Sequence, residues 1–170
     1  MDPSRHSDNR GTIESILRKI PGFKGYLEKE YRRESDQLAR NYIADKLQSS
    51  KSDLDKIMRQ ELNNGQLNAL PEGERLKAKI DKVSARIKGD VQGYSGFFDF
   101  VKVDESLLDD VYEQDIALAG EAESFVGAMN LMITKGGSAT QVFSEMIDAI
   151  DALEKKYNKR GEILEGIDGK

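Results

Sequence analysis

The chain has 170 residues, 38% of them apolar and 34% charged, with a net charge of −5 and no cysteine. That length suits one domain with its own core, and the lack of cysteine excludes disulfides, thiolate metal sites and cysteine nucleophiles. A negative chain repels a phosphate backbone, so no nucleic-acid partner is expected.

The charge is divided unevenly. Residues 1–90 hold 19 Lys and Arg against 15 Asp and Glu, a net of +4, and residues 91–170 hold 7 against 16, a net of −9. Docking of a basic half on an acidic half within one domain accounts for this, and the acidic segment from Asp104 to Glu123 is the expected partner surface. Residues 1–11 are polar and form an expected disordered tail with no secretory signal. No stretch reads as the roughly 20 apolar residues of a spanning helix, so a cytoplasmic location is expected.

Thr12 caps a first predicted helix whose apolar face is Ile13, Ile16, Leu17 and Ile20, ended by Pro21-Gly22. A long helix is predicted from about Lys24 to Ser49, with a stripe of Leu27, Tyr31, Leu38, Tyr42 and Leu47 and with Ala39 and Ile43 on its flank. Ser49 to Ser52 breaks it. A short helix then carries Leu54, Ile57, Met58 and Leu62 to a stop at Asn63-Asn64-Gly65, and residues 66–73, with Pro71, read as a loop. Leu76, Ile80, Val83 and Ile87 form the seam of the next helix, ended by Gly89. Residues 90–103 are irregular, with glycines among Tyr94, Phe97, Phe98 and Phe100; these four aromatics either plug an end of the fold or form a partner-binding patch.

The longest helix is predicted from Asp104 or Glu105 to about Thr134, on a seam that includes Leu108, Val111, Leu118, Ala122, Phe125 and Met129. Gly120 and Gly127 within it are expected at close helix contacts. After Lys135 to Ser138, a last helix over about Ala139–Asn158 carries Val142, Phe143, Met146, Ile147, Ile150, Leu153 and Tyr157. The expected fold is all-α: an antiparallel four-helix-bundle-like domain over residues 12–160, with a short N-terminal helix, a small connecting helix and a frayed tail over 161–170.

The run from Ile20 to Tyr26 (IPGFKGY), followed by Glu28 to Arg33, resembles the opening of a family of small bacterial all-helical proteins with no known activity. The stretch from Gly93 to Asp99, running into Val101 to Glu105, resembles the same family. The likeness covers about residues 13–130; it implies bacterial origin and a helical architecture, and no activity, ligand or site.

Chemistry-bearing patterns are few. The lone histidine, His6, lies in the tail, and no helix carries the Glu-x-x-His pair of a carboxylate-bridged di-metal bundle. Asp104, Asp109, Asp110, Glu113 and Asp115 could supply a carboxylate metal site, but an acidic first turn opposite the helix dipole explains them as well. Lys135 to Ser138 lacks the order of a phosphate-binding loop. No catalytic residue, metal site or cofactor is expected.

Asp115 stands out because it falls on the seam, one or two heptads from Leu108, Ala122 and Met129. A carboxylate there must find donors, and the expected ones are an Arg or Tyr of the long basic helix: Arg33, Arg40, Tyr31 or Tyr42. Such a pair would fix helix register, as a buried Asn does in coiled coils. The expected function is that of a non-enzymatic helical interaction or scaffold protein with a protein partner or a second copy of itself. Two alternatives stand beside it. One is a peripheral membrane protein using residues 12–27 as an amphipathic foot, with Ile13, Ile16, Leu17 and Ile20 facing the membrane surface. The other is a bundle enzyme built on carboxylates and a divalent metal.

Overall fold

The computed structural model describes residues 11, 14–26, 28–90 and 105–165. A helical segment over 14–19, here α1, precedes α2 (Lys29–Ser49), α3 (Lys51–Asn63), α4 (Leu70–Gly89), α5 (Glu105–Lys135) and α6 (Ala139–Glu165). A 3-10 turn at Leu67–Ala69 leads into α4. The chain is all-α, with no strand among the described residues.

The helix ends follow local chemistry. At the end of α3, Gly65 takes φ 72° while its N–H donates to the Leu62 carbonyl and the Gln66 N–H to that of Glu61. This is the glycine-closed pattern that satisfies last-turn carbonyls. Ser138 receives the Gln141 N–H at 3.4 Å at the start of α6. Pro71, expected in a loop, instead sits in the first turn of α4, where its missing N–H has no helical partner to lose. Between α2 and α3, Ser50 keeps a helical conformation and its hydroxyl donates to the Leu47 carbonyl at 2.6 Å. The expected break is therefore a bend.

Cross-helix contacts fix the directions. Arg40 of α2 reaches the carbonyls of Ile87 and Lys88, whereas Gln48 reaches Asp81, so α2 and α4 are antiparallel. Arg160 meets Asp115 and Lys156 meets Glu121, so α5 and α6 are antiparallel as well. Between α4 and α6, Lys79 pairs with Asp151 and Arg86 with Glu154, which makes that contact parallel. The helices are ordered α2, α4, α6, α5 around the bundle, with α2 and α6 on one diagonal and α4 and α5 on the other.

Among the described residues the buried hydrophobic side chains form two clusters. The larger joins the C-terminal half of α2, α3, α4, the C-terminal half of α5 and most of α6, through Leu47, Leu54, Ile57, Leu76, Ile80, Phe125, Met129, Phe143 and Ile150. Each such side chain contributes about 1.5–3 kcal/mol by leaving water. The smaller cluster lies at the opposite end: Ile16, Ile20, Phe23 and Tyr26 pack on Ala39, Leu108, Val111, Tyr112, Ile163 and Leu164.

Four further expectations need correction. Helix α2 starts at Lys29 rather than near Lys24, because Gly22 and Gly25 take φ of 83° and 93° and turn the chain twice. Its buried face is also rotated: Ala39 and Ile43 are buried, while Tyr31, Leu38 and Tyr42 are half-buried. Leu27 lies outside the described residues. Helix α6 continues to Glu165 and buries Arg160, Ile163 and Leu164, so the part of the expected frayed tail up to 165 is helix docked on the smaller cluster. Finally, Gly120 and Gly127 have open space where a Cβ would stand, so neither mediates a close helix contact. Helix α5 passes through both unbroken, with Phe125 and Met129 buried.

Within α5, Leu108–Lys135 is long enough to cross a membrane and holds an 18-residue window apolar enough to do so, although the sequence offers no uninterrupted apolar run there. Its seam Leu118, Ala122, Phe125 and Met129 lines the larger cluster, as the core helix of a bundle does. The basic and acidic halves do meet, through Lys19–Glu123, Lys79–Asp151 and Arg86–Glu154. Most of these acidic partners therefore lie in α6 rather than between Asp104 and Glu123.

Candidate functional site

Two places concentrate chemistry, at opposite ends of the bundle. The first is a layer of buried charge. Asp115, 1% exposed, accepts the Tyr26 hydroxyl at 2.5 Å and is bonded by Arg160 through Nε and, at 3.1 Å, Nη2. The Arg160 Nη2 also donates to Asp36 Oδ1 at 2.8 Å, reaching across the diagonal from α6 to α2. Asp36 Oδ2 in turn takes the Arg40 Nε at 2.8 Å, and Arg40 Nη1 caps the Ile87 and Lys88 carbonyls at the end of α4. A guanidinium against last-turn carbonyls also suits the negative end of that helix.

Asp36, Asp115, Arg40 and Arg160 sum to zero charge, which is the condition under which burial of ions is tolerable. Tyr26 completes the layer. Its ring lies 5.0 Å from that of Tyr112 and edge-on to Phe23 at 5.3 Å. Its N–H donates to the Tyr112 hydroxyl at 2.5 Å, and its carbonyl accepts Arg32 Nε at 2.6 Å. A Cβ on Gly25 would stand 2.7 Å from that Tyr112 oxygen, so glycine is what lets the backbone come this close. Burial, and then the charge of Asp115, hold the Tyr26 phenol well above its ordinary range.

Asp115 is buried and bonded by an Arg and a Tyr, but these are Arg160, just past the expected end of the last helix, and Tyr26, from the expected start of the long one, and not the four candidates. Of the four candidates, Arg40 joins the layer through Asp36, and Arg33 is exposed. Tyr31 is half-buried with Lys24 4.4 Å from its ring centre, and Tyr42 donates to Glu123 at 2.5 Å. The Tyr42 phenol is pushed up to about 12 by burial first and by that hydrogen bond second.

Of the three described residues of the candidate membrane face, two turn inward. Ile16 and Ile20 are 0% and 2% exposed in the smaller cluster, and Leu17 alone is open at 45%. The cause is energetic: two isoleucines gain more by docking on α5 and α6 than by remaining in water. Ile13 and the aromatic group Tyr94, Phe97, Phe98 and Phe100 lie outside the described residues. Of the candidate metal carboxylates, Asp104 lies outside the described residues, Asp110 and Glu113 are exposed, Asp109 is half-buried and Asp115 is bonded to Arg160.

Set against known proteins, the chain matches no family model, no curated protein and no solved structure. The chemistry of both places has to be read from their own geometry.

The second place is a groove of about 670 Å³ between α3 and α4. Gly73 brings the two helices together: a Cβ there would stand 2.9 Å from Met58 Cγ and Sδ. Beyond that contact the walls separate around Met58, Leu62 and Leu70. Asp55 and Arg59 rim one wall, and Glu74 and Lys77 the other. Lys77 donates to Asp55 at 2.7 Å, tying the walls together, and that carboxylate raises the Lys77 ammonium above its ordinary value. Leu62 and Leu67 stand 54% and 57% exposed at this end.

Proposed function

We propose that the protein is a non-enzymatic helical interaction protein that self-associates through the groove between α3 and α4. The supporting observation is the open groove itself, with Met58, Leu62 and Leu70 along it and Leu67 exposed nearby. Grouped exposed apolar side chains mark association surfaces, whereas scattered ones do not. A methionine in such a groove adapts to the shape of what enters.

The rim favours a second copy of this chain over a partner of one charge. Once Lys77 and Asp55 have paired, Arg59 remains on the α3 wall and Glu74 on the α4 wall. A twofold interface sets the same patch against itself, so Arg59 of one copy would meet Glu74 of the other while the leucines are buried between them. A uniformly acidic or basic partner would satisfy one wall and oppose the other.

Sedimentation velocity over a hundredfold concentration range tests this. The chain is expected to show a concentration-dependent monomer–dimer equilibrium, and Leu62→Glu should shift it to monomer without changing the Tm measured at a dilution where both chains are monomeric. A wild-type chain that stays monomeric at every concentration overturns the reading. So does a dimer that Leu62→Glu leaves intact.

A further inference from the structure

At the charged end, the segment over 20–26 enters the bundle as a ligand would enter a pocket. Tyr26 is 0% exposed, yet it belongs to no helix; it is carried on a strap that follows α1 and turns at Gly22 and Gly25. What surrounds its side chain is fitted to a phenol. The hydroxyl donates to Asp115 Oδ2 at 2.5 Å and accepts Arg160 Nη2 at 3.2 Å, so both functions of a neutral phenol oxygen are met by buried side chains of α5 and α6. The ring packs against Tyr112, 5.0 Å away at an interplanar angle of 39°, with Phe23 edge-on. An aliphatic side chain would take the hydroxyl donor from Asp115 Oδ2 and leave it Arg160 Nη2, and a buried carboxylate that loses a donor discriminates against the analogue that lacks the hydroxyl.

Beneath the strap lie ions as well as hydrocarbon: Asp115, Asp36, Arg160 and Arg40 are all under 10% exposed, beside Leu108, Val111, Ile163 and Leu164. Water entering on release hydrates these charges and offsets part of the burial that Ile16, Ile20, Phe23 and Tyr26 give up. From outside, Lys19 holds α1 to Glu123 through a pair whose side chains are 31% and 36% exposed. The helices that form the pocket keep their own contacts when the strap is absent, because Arg160 still joins Asp115 to Asp36, and Asp36 still joins Arg40.

We propose that the junction of α2, α5 and α6 is a binding pocket for a para-substituted phenol, that Tyr26 is its tethered occupant, and that release of the strap opens it to a tyrosine side chain supplied by another protein. Its recognition elements are Asp115 as acceptor, Arg160 as donor and Tyr112 as ring wall. This site is separate from the α3–α4 groove, and neither proposal depends on the other.

Tyr26→Ala empties the pocket and leaves its walls, which permits a rescue experiment. The variant should melt well below wild type. Millimolar p-cresol should raise its Tm by several degrees in a dose-dependent way, while toluene at the same free concentration should give less than half that rise. Where the variant is unfolded alone, the readout is recovery of helical circular dichroism, with the same order of the two compounds expected. Equal effects of p-cresol and toluene, or no effect of either, overturn the pocket. On the unmodified chain, native-state hydrogen exchange tests release: amides over 16–26 should exchange at least about tenfold faster than those over 118–129, through an opening that exposes less surface than global unfolding. A single common exchange rate for the two segments overturns the strap.

Discussion

The two ends of this bundle solve the same packing problem with opposite chemistry. At the end formed by α3, the start of α4 and the start of α6, the interior is hydrocarbon: Leu54, Ile57, Leu76, Phe143 and Ile147 are buried together. At the other end two Arg, two Asp and a Tyr, each bonded to the next, are buried beside the smaller apolar cluster. A hydrocarbon end tolerates small errors of fit, because dispersion is non-directional. A charged end does not, since a guanidinium displaced by an ångström leaves a carboxylate unpaired. The apolar end therefore supplies stability, and the charged end selects which helices face one another and in what register.

Single substitutions sharpen that contrast. The largest loss is expected from Arg160→Met, which takes from Asp115 its cation and from Asp36 one of its two, and should lower the unfolding free energy by about 3–5 kcal/mol, the range for breaking a buried pair. Phe143→Ala at the apolar end should fall in a similar range, about 3–5 kcal/mol. The two variants differ in the space they open: Phe143→Ala should bind a small apolar compound in its cavity, and Arg160→Met should not. Urea unfolding and thermal melts with added benzene check both. Tyr26→Phe should cost less, about 1–3 kcal/mol, since one buried acceptor loses one donor.

The dependence on pH separates the same two regions. Tyr26 and Tyr42 sit above the ordinary value of 10.0 in the folded chain, both mainly through burial. In the unfolded chain they release protons near 10, so above that pH the unfolded state binds fewer protons and stability falls as pH rises. Below it their contribution is complete. Glu123 moves the other way, lowered by the Lys19 hydrogen bond first and the Tyr42 hydroxyl second. Its contribution is present above its unfolded value, about 4.3, and is lost as pH falls through the lower folded one. With its side chain 36% exposed, the effect is small. A Tm profile should thus drop above about pH 10, and Tyr26→Phe should flatten that drop. A drop unchanged in Tyr26→Phe would place the alkaline sensitivity elsewhere.

The smallest expected effects lie on α5. Gly120→Ala and Gly127→Ala add a methyl to open space in a helix, and each should raise stability by up to about 1 kcal/mol. A loss at either position in urea unfolding would mean that the helix surface there is covered.

The apolar end is far more legible in the sequence than the charged end. Leu76, Ile80, Val83 and Ile87 announce a seam, and all four are buried. Asp115 is visible because a charge interrupts such a seam. Its partners are not, because periodicity arguments search for apolar stripes, and the buried face at the start of α2 is Arg32, Ser35, Asp36 and Arg40. Phase is the signal that reaches them. Counting back from Leu47, Ala44, Ile43 and Ala39 by threes and fours lands on Arg40, Asp36, Ser35 and Arg32. Counting forward from Ile150, Leu153 and Tyr157 lands on Arg160, then Ile163 and Leu164. Tyr26 carries no such signal. Its place depends on two glycine turns and a contact 86 residues away.

The claim that the charged end specifies more than it stabilises is tested most directly by one cycle: urea unfolding of Arg160→Met, Asp115→Leu and the two combined. Removing both leaves Asp36 paired with Arg40, 2.8 Å apart, so no buried charge is stranded. The double variant should accordingly be more stable than Arg160→Met alone, with a coupling of at least about 2 kcal/mol. Losses that simply add would contradict the account, because Arg160 and Asp115 would then stabilise the bundle independently of each other.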